Sequence, residues 1–180
     1  MSNLSLQFAK HGNPRTALAL NEVPFDASSP PEPGHVRVRV HARAVNPADL
    51  LFVEGIYGNN VGDQIQQGRP QTGGSECAGV VAAVGAGVAS VAVGQRVYAN
   101  GSFPATRTWA LFADVPERAV VPLPPQVSFE SGAQLLVNPL TAIGFLETMK
   151  ESGLVSGMFF FCLGFVPFSF SCRWRGRRLG

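Results

Sequence analysis

Tyr57 lies in the stretch NPADLLFVEGIYGNN, residues 46–60, and is one of two tyrosines in the chain. A phenol hydroxyl can donate a hydrogen bond or a proton wherever negative charge develops on an oxygen or a carbon. Gly55 and Gly58 flank it, and glycine backbone can carry a ring into a cleft. On spacing alone, an exposed loop aromatic is the plainer reading. Asn46 follows a strand-like run and precedes Pro47. Its side chain either closes a turn on its own backbone or reaches a ligand. Asn138 and Thr141 stand at the start of a helical stretch, where capping and ligand contact are both open. Glu76 reads as a buried structural carboxylate held by backbone donors, because a buried charge needs partners. Trp109 reads as core or pocket wall. The three histidines, His11, His35 and His41, have no metal-ligand spacing. Cys77, Cys162 and Cys172 are too few and too scattered for a disulfide framework or a four-thiolate zinc site.

These residues belong to a chain of 180 residues, 46% of them hydrophobic, which suffices for one domain with a substantial core. The net charge of +2 misleads about its partners. Arg173, Arg175, Arg177 and Arg178 all fall in the last eight residues, and the remaining ten Lys and Arg face twelve Asp and Glu. The body is therefore mildly acidic, and nucleic acid is not expected as a partner. The sparse cysteines suit a reducing compartment. The N-terminal MSNLSLQFAKHG lacks the basic and apolar regions of a secretory signal. A cytoplasmic or mitochondrial location is expected.

The elements that must position the polar residues are mostly strands. Residues 4–8 and 36–45 read as strands, and HVRVRVHARAV alternates with the period of a half-buried sheet. CAGVVAAVGAGVASVAVGQRVYA reads as two short strands around a turn at residues 85–90, and TWALFADVPERAVVPLP as a further strand pair. Short strands joined by Gly and Pro turns predict a compact β barrel. Near Ser128 the pattern becomes helical, with Ser128 as N-cap and Pro139 in the first turn of a second helix that ends before Gly153. The fold class is mainly β with flanking helices. No internal repeat is visible.

From Met158 the composition changes again. MFFFCLGFVPFSFSC holds six of the thirteen phenylalanines and no charge, and RWRGRRLG follows. Three readings fit this segment: sequence that is not native coding sequence, a strand of a following domain, or a membrane anchor. Pro167 and the small polar residues count against the anchor.

The motifs, taken in order, resemble the N-terminal half of the medium-chain dehydrogenase/reductase superfamily. The resemblance rests on VRVRVHARAVNPADL, on GGSECAGVVAAVGAGVASVAVGQRVYA and on LLVNPLTAIGFLE, with Gly74, Glu76 and Gly79 forming G-x-E-x-x-G. It implies a GroES-like barrel over residues 1–127, bridging helices over 128–157 and an atypical tail over 158–180. Zinc-dependent members resemble this chain but carry Cys where Asn46 stands and His where Ser75 stands. An amide and a hydroxyl are poor zinc ligands beside thiolate and imidazole, and the four-cysteine structural lobe is missing too. The resemblance therefore implies a zinc-free member. HGNP at 11–14, NPADLLFVEGIYG and VNPLTA are similar to mitochondrial-type 2-enoyl thioester reductases. TRTWALFADV is similar to a Gly-Thr-Trp segment of that group, with Arg107 in place of the glycine. Quinone reductases of the same superfamily share the NPAD stretch and are the alternative, as is a non-catalytic GroES-like binding module.

The resemblance assigns roles. Tyr57 falls on a tyrosine that assists reduction of the enoyl thioester, while Asn138 and Thr141 fall on the nicotinamide side of NADPH; Asn46, in its ligand-contact reading, would bond the nicotinamide ribose or the substrate. Trp109 falls on the substrate pocket. The implied partner is a small enoyl thioester or quinone, with homodimerisation in the full-length family. A Rossmann unit, with a G-x-G-x-x-G-like turn, is expected after Gly157 and is not found there. The expectation is a truncated oxidoreductase that holds the substrate half, takes up NADPH weakly or not at all, and shows no turnover alone.

Overall fold

The computed structural model describes residues 2–57, 65, 69–101 and 108–151. Its strands are β1 (Ser2–Phe8), β2 (Ala19–Pro24), β3 (His35–Arg43), β4 (Gln71–Thr72), β5 (Glu76–Val84), β6 (Arg96–Asn100), β7 (Phe112–Pro116) and β8 (Val120–Pro122). They form two antiparallel sheets, one ordered β2-β1-β4 and the other β7-β3-β5-β6-β8. The sheets meet along β1, where Ser5 bridges Ala110 and Leu6 N–H donates to Trp109 O at 2.8 Å.

The alternation seen in β3 builds the main core. Val36, Val38 and Val40 point inward and meet Cys77, Val81, Val97, Ala113 and Val115. Each such side chain contributes roughly 1.5–3 kcal/mol when fully buried. Arg37 lies opposite Asp114 in the β3–β7 register and binds it through two 2.8 Å hydrogen bonds. Its other nitrogen donates to the carbonyls of Asp26 and Ser29. Arg37 is thereby buried on the outer face with each of its three guanidinium nitrogens partnered.

Three residues connect the edges of the larger sheet. A flat sheet with five strands would hold its edge strands about 19 Å apart, four spacings of about 4.8 Å. Yet β7 and β8 are joined only by the 3₁₀ turn Glu117–Ala119, and the step from Pro116 to Val120 can span at most about 14 Å. The sheet has to curl. TWALFADVPERAVVPLP thus makes two strands, as its sequence predicts, but they do not pair with each other. β7 pairs with β3 and β8 with β6, at opposite edges.

The G-x-E-x-x-G motif has a steric basis. A Cβ on Gly74, which has φ +91°, would come within 2.3 Å of the Trp109 ring. One on Gly79 would come within 2.1 Å of Arg39 O on the neighbouring strand.

The helices are α1 (Pro14–Ala17), α2 (Pro47–Glu54), α3 (Phe129–Gly132) and α4 (Val137–Glu151). Ser128 caps α3 by accepting from Ser131 N at 3.1 Å. Pro139 falls in the first turn of α4, where the missing N–H costs nothing. Asn46 and Pro47 open a helix where sequence suggests only a turn. Pro at N1 fixes φ, and Asp49 at the third position accepts from the Asn46 amide at 2.9 Å. The chain divides into two compact units, residues 1–140 and 141–180. The Phe-rich and Arg-rich tail, Gly58 and Arg107 lie outside the described residues.

Candidate functional site

A buried polar network is built where β5, β6, α2 and the start of α4 meet. Glu76, the first residue of β5, is fully buried. Its Oε1 accepts from Asn46 Nδ2 at 3.1 Å. Its Oε2 accepts from the Tyr98 hydroxyl at 3.1 Å and from the Leu136 and Val137 amides at 3.2 and 3.3 Å. Backbone N–H groups at a helix start suit a carboxylate, so Glu76 caps the start of α4 and holds Leu136 and Val137 to β5. The reading of Glu76 as a structural carboxylate bonded to backbone agrees with this geometry.

Asn46 occupies the N-cap position of α2 and is 2% exposed. Its Oδ1 accepts from Asn138 Nδ2 at 3.1 Å. The structure thus brings together two of the residues expected near a cofactor. Next to them, the Ser75 hydroxyl donates to Asp49 Oδ1. Tyr98 is a phenol raised above its ordinary range, first by burial and then by its Glu76 partner, against a bond from Asn100. Trp109 is 4% exposed, and its indole N–H donates to Ala44 O at 2.8 Å, two residues before Asn46.

Tyr57 and Thr141 stand differently. α2 ends at Gly55, whose φ of +83° turns the chain away. Tyr57 follows two residues later, 50% exposed beside Ile56 at 71%. Among the described residues, no hydrogen bond or ring contact joins Tyr57 to the Glu76 network. Thr141 is an exposed residue of α4 in the second unit.

Among the described residues, no group of three His, Cys, Asp or Glu is placed to hold a metal. The glycine turn nearest in form to a phosphate cradle, at Gly85–Gly87, does not fit a dinucleotide. The amides that follow it, Ala89 and Ser90, already donate to Glu117 Oε1 at 2.8 and 2.6 Å. The chain supplies its own anion there.

The sequence reading missed Asp49 and Tyr98 as members of the network. Asp49 was legible in the N-x-x-D spacing after a strand and before an apolar run. Tyr98 was not, because alternation shows that it faces inward but not that a carboxylate waits there.

Residues 32–125 match the alcohol dehydrogenase GroES-like domain family. The chain belongs to that family. Through it the chain joins the medium-chain dehydrogenase/reductase superfamily, as its motifs suggested. The mitochondrial enoyl-[acyl-carrier-protein] reductase of Mus musculus is 33% identical over 148 residues, which cover 82% of this chain and 36% of that protein. The synaptic vesicle membrane protein VAT-1 homolog of Rattus norvegicus is 38% identical over 112 residues, covering 62% and 26%. The crystal structure of a Pseudomonas syringae quinone oxidoreductase superposes with a TM-score of 0.63 at 31% identity, covering 81% of this chain and 41% of that one. The chain thus spans about 36% of the length of the enoyl reductase relatives. In the GroES-like domain described here, no helix among the described residues is long and apolar enough to cross a membrane.

Proposed function

We propose that this chain supplies the substrate side of a metal-independent, NADPH-linked reductase acting on the double bond of a 2-enoyl thioester. One observation carries the metal-independent part. The two positions where zinc-dependent relatives would hold ligands are Asn46 and Ser75, and their side chains are committed elsewhere. Asn46 bonds Glu76 and Asn138, and Ser75 donates to Asp49. Hydride is the chemistry a reduced nicotinamide would supply. This chain's own task is to hold charge. The electron pair displaced from the double bond onto the thioester oxygen would meet the Tyr57 hydroxyl, which donates a hydrogen bond there. Half-exposed and just past the end of α2, Tyr57 is open to a ligand. Asn138 and Thr141 are proposed on the nicotinamide side, with Asn46 acting through Asn138. Trp109 is proposed to back the substrate pocket.

The two tyrosines make the test simple. Ring-labelled tyrosine gives one signal from exposed Tyr57 and one from buried Tyr98. Titration with crotonyl-CoA should move the Tyr57 signal and leave Tyr98 in place. A Tyr57 signal that stays fixed at saturating crotonyl-CoA would sink the assignment. The 31% identity with a quinone oxidoreductase favours a second reading. A Tyr57 shift with a quinone and none with the thioester would select it. One equivalent of zinc retained after dialysis, and lost in Asn46→Ala, would overturn the metal-independent part.

A further inference from the structure

Four donors converge on the Glu76 carboxylate: Asn46 Nδ2 on Oε1, and the Tyr98 hydroxyl with the Leu136 and Val137 amides on Oε2, all at 3.1–3.3 Å. So surrounded, both oxygens act as acceptors. The Asn46 amide then has one permitted orientation, NH₂ toward Glu76 and Oδ1 away. That oxygen meets Asn138 Nδ2 at 3.1 Å, so Asn138 is oriented in turn. Its NH₂ is spent inward and its Oδ1 is the end left to present. Asn46 is buried and Asn138 exposed, so the orientation is imposed from the core on a surface group.

We infer that Glu76 is a positioning residue that, through Asn46, makes Asn138 a fixed hydrogen-bond acceptor for a ligand N–H or O–H. The two ends of an amide are nearly identical in shape, and only their partners tell them apart. The polarity of the relay does not depend on the proposed function. Only the identity of the ligand, a nicotinamide whose carboxamide N–H Asn138 would accept, rests on that reading.

One atom should reverse the relay. In Glu76→Gln, the new carboxamide oxygen can take the place of Oε2 and accept from Tyr98, Leu136 and Val137. Its NH₂ then faces Asn46. Both asparagine amides can turn over with the Glu76–Asn46 and Asn46–Asn138 contacts retained, and Asn138 would present NH₂ outward.

Asn138→Asp reads the polarity directly. In the native background it sets a carboxylate against Asn46 Oδ1, which cannot donate, so the urea midpoint of the 180-residue chain should fall. In the Glu76→Gln background, the reversed Asn46 amide donates to the new carboxylate, and the same substitution should lower the midpoint far less or raise it. A purely structural role for Glu76 predicts the same loss in both backgrounds, and that outcome overturns the inference. The unaltered chain gives a second readout if a variant does not fold. A through-hydrogen-bond ¹⁵N–¹³C coupling should run from Asn138 Nδ2 to Asn46 Cγ. The opposite coupling, from Asn46 Nδ2 to Asn138 Cγ, would refute it.

Discussion

At the scale of single residues, burial decides what a reactive group can do. Cys77 is fully buried in the main core. Its thiol is pushed up to about 12, chiefly by that burial, with Arg43 lowering it and Glu76 raising it. Thiolate is the nucleophile, so this cysteine is chemically quiet while the barrel is closed. Iodoacetamide at pH 8 should leave the Cys77 peptide unmodified in the native chain and alkylate it in urea, as read by peptide mapping. Alkylation at equal rates in both states would contradict the packing described here. Sequence alone marked Cys77 only as unsuited to a framework. By contrast, Glu76 was legible as a buried carboxylate, since a lone acid inside a Val- and Ala-rich strand must be partnered. Its particular donors were not legible. Asn46 and Tyr98 are 30 and 22 residues away, and no local pattern announces such a pairing.

At the scale of elements, what the sequence could specify was local, and what it could not was partnership. The alternation of β3, the Ser128 cap and the first-turn Pro139 are rules of a few residues, and all three are realised. That β7 and β8 part to opposite edges depends on how far the sheet curls, which strand spacing does not encode. The short β2 and β4 escaped notice for a related reason: each is held by β1 rather than by a pattern of its own. The central strand pair gives the sharpest test. Gly79 lies against Arg39 backbone, with no flexible side-chain end to yield. Gly79→Ala should therefore force β3 and β5 apart and destabilise by about 3 kcal/mol or more, a magnitude reserved for strain or broken core contacts. A urea midpoint within error of the parent would show that the strands can shift to admit a methyl.

At the scale of the whole molecule, family membership fixes the architecture of the matched region, while the polar network fixes where chemistry is to be sought. Acid should test the surface that holds the barrel together. Hydrogen bonds from Ser28 lower the Asp26 carboxyl, and amides of Ser90 and Ala89 lower that of Glu117. Glu130 is lowered too, first by its own backbone and then by Ser128. A carboxyl lowered on folding contributes stability that is complete above its unfolded value, about 4.3 for Glu, and is lost as pH falls through the folded value. Thermal midpoints should therefore hold from pH 7 to about 5 and decline below that. A midpoint that rises on acidification below pH 4 would reverse the sign of this linkage.

Glu117 has a second position in the fold, for it begins the short 3₁₀ turn that connects the two edges of the larger sheet. Its carboxylate also reaches back to the amides of Ala89 and Ser90, in the loop between β5 and β6. Closure and charge thus coincide at one seam. Protonating Glu117 removes a fastening where the sheet's width is bridged by the fewest residues, while the valine core has no proton to gain. As pH is lowered, the protection of the Ala89 and Ser90 amides relative to their intrinsic exchange rates should be lost at a higher pH than that of amides within β3 and β5, so that in acid the barrel comes unstitched along its hem while its lining is still whole.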